Sequence, residues 1–126
     1  MHVAHQRHTV ARPAYAALAA TLLAAAGYVL LDRGTGWWQF FAFGAAPDIA
    51  LFLGAAPGLA KGQLHPRAVP LYNALHRFAG PIAFAILAAA FLPAGYLAGA
   101  LAWGLHIAID RVAGYGLRTP DGFQRS

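Results

Sequence analysis

Four runs of apolar residues, each close to the length of a bilayer crossing and separated by polar or proline-bearing breaks, constrain this chain more than any other feature. They lie at about residues 13–31, 37–57, 71–92 and 94–114. At about 1.5 Å per residue, runs of this length match a hydrocarbon layer about 30 Å thick. A soluble domain of 126 residues has no core in which to hide them, since 60% of the chain is hydrophobic and only 10% charged. The expectation is therefore an all-α fold: a single domain forming a four-helix transmembrane bundle.

The breaks have recognisable causes. Pro13 suits a helix start, and Asp32-Arg33-Gly34-Thr35-Gly36 is a polar stop. The first run is too long for the core of a cleaved leader, about 19 apolar residues against the 7 to 15 of a signal core, so an uncleaved anchor is expected. Trp37-Trp38 opens the second run as an interfacial aromatic pair, and Pro47 within it predicts a kink that leaves a carbonyl near Phe43 without its donor. The stretch Gly58 to Pro70 is too polar and too broken to cross. Pro93 and Gly95 divide the third and fourth runs, because one helix over residues 71 to 114 would be about 66 Å long. Residues 115–126 read as turn and disorder.

Basic residues set the orientation. Arg7, Arg12, Lys61, Arg67, Arg111, Arg118 and Arg125 fall on the side of the N-terminus, the middle loop and the C-terminus, and only Arg33 falls on the other. By the positive-inside rule both termini are cytoplasmic. These cations flank apolar segments and form no patch interleaved with aromatics, so the lipid bilayer is the expected partner and nucleic acid is not. The absence of cysteine removes disulfides, thiolate metal sites and thiol nucleophiles. Gly44, Gly54, Gly95 and Gly99 suit close helix contacts within or between chains, which leaves a homo-oligomer open.

The residues that an apolar pattern does not explain are Asp48, Asn73, His76, Arg77, His106 and Asp110. An ionisable group near the middle of a span costs about 2.5–3.5 kcal/mol and calls for a partner. Asn73 and His76 are three apart and His106 and Asp110 four apart, so each pair shares a helix face. Counted from the cytoplasmic ends of their runs, Asp48, His76 and His106 lie about 14, 8 and 12 Å deep at 1.5 Å per residue. Three helices thus bring imidazole and carboxylate toward one level. His76, His106, Asp48 and Asp110 form a nitrogen and oxygen set suited to a divalent metal such as zinc, iron or manganese, with Asn73 and Arg77 to orient a ligand. A water activated at an open position there would suit hydrolysis of an ester or phosphoester.

Other readings of the same residues stand beside this one. The histidines and aspartates also read as hydrogen-bonded glue, with Arg77 snorkelling to the headgroups, as a proton or ion relay, or, for the histidines, as axial ligands of a haem beside Gly80 and Gly99. Nearby carboxylates disfavour the porphyrin. His2, His5 and His8 read as a polar terminus and His65 as a solvated loop residue, and whether the chain is an enzyme is left open.

Trp37-Trp38, Pro47-Asp48, Tyr72-Asn73 with His76, Trp103 with His106 and Asp110-Arg111, and the ending Gly114-Tyr115-Gly116-Leu117 with Gly122-Phe123 together resemble the domain of unknown function 4260 family of small bacterial integral membrane proteins. The resemblance implies a multi-pass protein of the bacterial inner (cytoplasmic) membrane and supplies no activity. A more distant analogy is to bacterial membrane-bound metal-dependent hydrolases, which place His and Asp at short helical spacing inside apolar segments. Two departures from the family pattern are Arg12-Pro13-Ala14-Tyr15 where an acid is expected, and an ending, Gln124-Arg125-Ser126, without histidine.

Overall fold

The computed structural model describes residues 2–125, with side chains described from residue 11 onward. The side chains of His2, His5, Arg7 and His8 lie outside the described residues. The chain is all-helical, with six α-helices among the described residues: α1 His2–Asp32, α2 Trp37–Ala45, α3 Ile49–Leu53, α4 Val69–Leu75, α5 Ala79–Phe91 and α6 Gly95–Ala113. The only extended pairing among them is an isolated antiparallel bridge between Arg118 and Gln124.

Two of the expected runs are broken. The second is divided at Pro47: α2 gives way to a 3-10 turn over Ala46–Asp48, then to the single-turn α3, which stops at Gly54. The third is divided at His76–Phe78, where α4 ends and α5 begins, and the two pieces with the 3-10 turn Pro66–Ala68 bend by 46°. Pro81 accounts for this second break. Its ring excludes a regular turn around the carbonyl four residues earlier, that of Arg77, which instead accepts from Gly80 N at 3.3 Å. By length and composition Ala11–Asp32 is the one described helix able to cross a membrane unaided, and the bent pair Pro66–Leu75 with Ala79–Phe91 qualifies as a second only when taken together. Pro13 lies inside α1 and does not open it.

The last helix is the hub. α6 packs against α1, α2 and α5, and its small residues permit the approach. A Cβ at Gly99 would sit 2.7 Å from the Phe43 ring and one at Gly80 2.6 Å from the Trp103 indole, so at both places the missing side chain is the space that a neighbour occupies. Val29 and Leu30 of α1 meet Ala98 of α6 in one buried cluster. Ala50, Leu64, Ala68 and Tyr72 form another, between α3, the loop and α4.

α6 stops at Gly114, whose φ of 94° is the left-handed conformation that glycine favours. Tyr115 N donates to Asp110 O at 2.8 Å and Gly114 N to Arg111 O at 3.2 Å, the paired bonds of a Schellman cap. Residues 115–125, expected as turn and disorder, instead fold back on α4. Asn73 Nδ2 donates to Arg118 O at 3.0 Å while Arg118 N donates to Asn73 Oδ1 at 2.7 Å, and Leu64 N donates to Gly122 O at 2.9 Å. The amide of Asn73 mimics a backbone partner for a strand, a role that composition alone does not announce.

Candidate metal centre

Asp48, His76, His106 and Asp110 converge. Each offers one ligand atom to a group whose members all lie within 4.8 Å of one another. Two breaks in regular helix and one face of a continuous helix create the geometry. Asp48 closes the 3-10 turn that Pro47 induces, His76 is the residue on which α4 terminates, and His106 and Asp110 share a face of α6 one turn before its end.

Both imidazoles are oriented through Nδ1. His76 Nδ1 lies 2.7 Å from Tyr72 O, and His106 Nδ1 lies 2.7 Å from Gly44 O. A carbonyl only accepts, so each Nδ1 carries the hydrogen, and in the neutral rings each Nε2 keeps its lone pair. His76 Nε2 faces the two carboxylates without a hydrogen-bond partner, whereas His106 Nε2 is within hydrogen-bond distance of Asp48 Oδ1 at 3.1 Å and donates to it when the ring is protonated. Donation from Nδ1 to a carbonyl is the arrangement by which metal-binding histidines fix their tautomer and ring plane. The carbonyl of Gly44 is free for the task because Pro47 has no N–H, and in a 3-10 turn the carbonyl so orphaned is three residues back.

The distances around the four donors are informative. His106 Nε2 lies 3.1 Å from Asp48 Oδ1 and 3.3 Å from Asp110 Oδ2, and His76 Nε2 lies 3.4 and 3.5 Å from the same two atoms. Ion-paired hydrogen bonds contract to about 2.7–2.9 Å, and none of these has done so. Neighbouring ligands about 2.0–2.2 Å from one cation stand roughly 3.3 Å apart in tetrahedral geometry; the four His–Asp distances match that spacing, and the whole group lies within 4.8 Å. His76 Nε2 is buried without a hydrogen-bond partner, on a side chain only 1% exposed. An orphaned buried acceptor between two carboxylates is costly unless a cation or proton joins them.

Access is one-sided. Asp110 is 24% exposed and His106 14%, whereas Asp48 is 46% exposed, so the cluster is closed beneath His76 and open beside Asp48. Tyr72 stacks on His76 with ring centroids 3.9 Å apart, and the Arg118 guanidinium covers Tyr72 at 4.8 Å. Gln124 Nε2 donates to the Tyr72 hydroxyl at 3.0 Å. Arg111 Nη2 donates to His76 O at 3.0 Å, pinning the residue from the backbone side.

Of the residues singled out from sequence, four come together and two do not. Asn73 spends both ends of its amide on the Arg118 backbone. Arg77 lies within the helix break and is exposed, and Arg111 is the guanidinium that reaches His76. Gly80 is filled by Trp103, whose Nε1 donates to Leu75 O at 2.8 Å, and Gly99 by Phe43, which leaves neither as room for a macrocycle. Tyr72 was not anticipated as a supporting residue. Its signal was the four-residue spacing to His76, which places a helix-end carbonyl and an aromatic ring against the imidazole.

No curated protein and no solved structure matches the chain. A family model does match, over residues 15–126, a span that contains all four converging side chains, the proline that frees the Gly44 carbonyl and the returning C-terminal segment. The chain belongs to the family described as domain of unknown function (DUF4260).

Proposed function

We propose that this protein is a multi-pass protein of the bacterial inner membrane that holds one divalent cation with Asp48, His76, His106 and Asp110. The observation that carries the reading is the orphaned Nε2 of His76, buried 3.4 and 3.5 Å from two carboxylate oxygens with its Nδ1 already committed to Tyr72 O. Two neutral imidazoles and two carboxylates carry a charge of −2, which a divalent ion neutralises. The donor set suits zinc, iron(II) or manganese.

Four spans, α1, α2 with α3, α4 with α5, and α6, form the membrane-embedded bundle in this reading. Support comes from the apolar Ala11–Asp32 and from Leu23, Trp38, Phe41, Phe52, Ile86 and Phe91, each more than half exposed. So much outward apolar surface is solvated by lipid and poorly by water. The basic asymmetry puts both termini and Lys61 in the cytoplasm, with the cation in that half of the bundle.

The exposed flank of Asp48 leaves an approach to the cluster, as catalytic metal sites do and buried structural sites do not. Hydrolysis of an ester or phosphoester is the reaction class that such a site supports, with the ion lowering the pKa of a water beside it. Elemental analysis of protein purified without a histidine tag tests the binding claim. One divalent ion per chain, lost in His106→Ala while the helical circular dichroism persists, is the expected result. Wild-type protein that holds no ion after exposure to zinc, iron(II) and manganese under reducing conditions contradicts it.

A further inference from the structure

The seam between α2 and α6 holds a groove that ends on the cluster. It is an open groove of about 320 Å³, at the small end of ligand pockets. Gly44, Ala45 and Ala102 form its floor, Phe41 and Ile109 its rims, and His106 contributes to its lining. The floor exists because the facing residues are small: a Cβ on Gly44 would lie 3.5 Å from that of Ala102, in ordinary contact, so the two helices close beneath the groove without filling it. The rims are open, with Phe41 65% and Ile109 52% exposed. The groove therefore faces the medium around the bundle and is almost entirely apolar apart from one imidazole.

That imidazole ties the groove to the site. His106 meets the groove through the same ring whose Nδ1 is held by the Gly44 carbonyl, itself a floor residue, and whose Nε2 points at Asp48 and Asp110. Asp48 follows Ala45 by three residues and Asp110 follows Ile109 directly, so a molecule lying along the seam meets the cluster at one end.

We infer that the substrate is a single-chain amphiphile, its alkyl chain lying in the α2/α6 groove and its anionic oxygen headgroup at the Asp48 side of the cluster, entering from the cytoplasmic leaflet. The inference rests on the cation-binding reading for the headgroup, because two carboxylates without a cation would repel an anion. The chain-binding half rests on the groove alone. One alkyl chain fits the groove better than a diacyl lipid, whose second chain would lie outside, over Phe41 or Ile109.

The test uses the full chain in nanodiscs of a zwitterionic phospholipid, loaded with zinc, and an alkyl phosphate bearing a diazirine at the chain terminus. Competitors are the unlabelled alkyl phosphate, the alcohol of equal length and inorganic phosphate, with metal content measured in parallel. Expected are crosslinks within Phe40–Ala45 and Ala102–Ile109, displaced about tenfold better by the alkyl phosphate than by the alcohol. Inorganic phosphate alone should displace little. Ala45→Trp, at an exposed lining position that supplies none of the four donors, should abolish displaceable labelling while full metal content is kept. Labelling spread over all lipid-facing helices, or unchanged in Ala45→Trp at full metal occupancy, overturns the groove. If the protein holds no metal and yet shows labelling sensitive to Ala45→Trp but indifferent to the headgroup, the headgroup assignment falls together with the cation site.

Discussion

The Nδ1 of His106 donates to the backbone carbonyl of Gly44 across 2.7 Å, joining α6 to the last turn of α2. Sixty-two residues separate the two partners, and the bond exists because Pro47 withholds an N–H that the turn would otherwise use. One proline thus sets two features of the cluster: it frees the acceptor that orients His106, and it forms the 3-10 turn that carries Asp48.

Pro47→Ala restores the missing donor, and the Gly44 carbonyl can then be claimed within α2. The helix itself should tolerate the change. His106 loses its orienting bond and Asp48 rotates with the regularised turn, so zinc affinity should fall by about 10–100-fold, the usual loss when the support of a metal-binding histidine is removed. A competition titration with a chromophoric chelator measures it, and unchanged affinity would show that the proline has no part in the site.

Asn73 binds the Arg118 backbone through both ends of its amide, at 3.0 and 2.7 Å. Asn73→Ala should free residues 115–125 from α4 at a cost of about 1–3 kcal/mol, since Arg118 keeps a partly buried N–H without a partner. Hydrogen exchange at Leu117–Thr119 should accelerate while metal content is retained. Loss of metal in this variant would instead return Asn73 to the site, where the sequence alone had put it.

Orientation is open to direct measurement because the chain contains no cysteine. With single cysteines introduced as Thr35→Cys and Lys61→Cys, a membrane-impermeant maleimide applied to intact spheroplasts should label the first and spare the second until lysis. The reverse pattern inverts the topology, and equal labelling of both before lysis denies that the segments between them cross the bilayer.

Much of this architecture is legible in the amino-acid sequence, for identifiable reasons. The alanine- and leucine-rich first run and the run ending at Gly114 are uninterrupted by proline after Pro13 and Pro93, and they appear as α1 and α6. The four converging ionisable groups stood out because burial among apolar residues is costly, which is a property of residue type and needs no coordinates. What composition obscures is backbone that departs from the ideal helix. Pro81 split a run that hydropathy reads as continuous, moving His76 from mid-helix to a helix end. Asn73 was grouped with His76 by spacing and Arg77 by its charge in an apolar run, but Arg77 lies exposed within the helix break and the returning C-terminal segment pairs with Asn73. Such long-range pairings, like that of Gln124 with Tyr72, leave no periodic trace.

X-ray absorption at the metal edge of the zinc-loaded protein tests the central claim most directly. A first shell of nitrogen and oxygen at about 2.0–2.2 Å, with outer-shell scattering from two imidazole rings, is predicted. His76→Ala and His106→Ala should each remove one ring's contribution or abolish binding. A spectrum without imidazole scattering, or one that neither substitution alters, would contradict a cation held between His76 and His106.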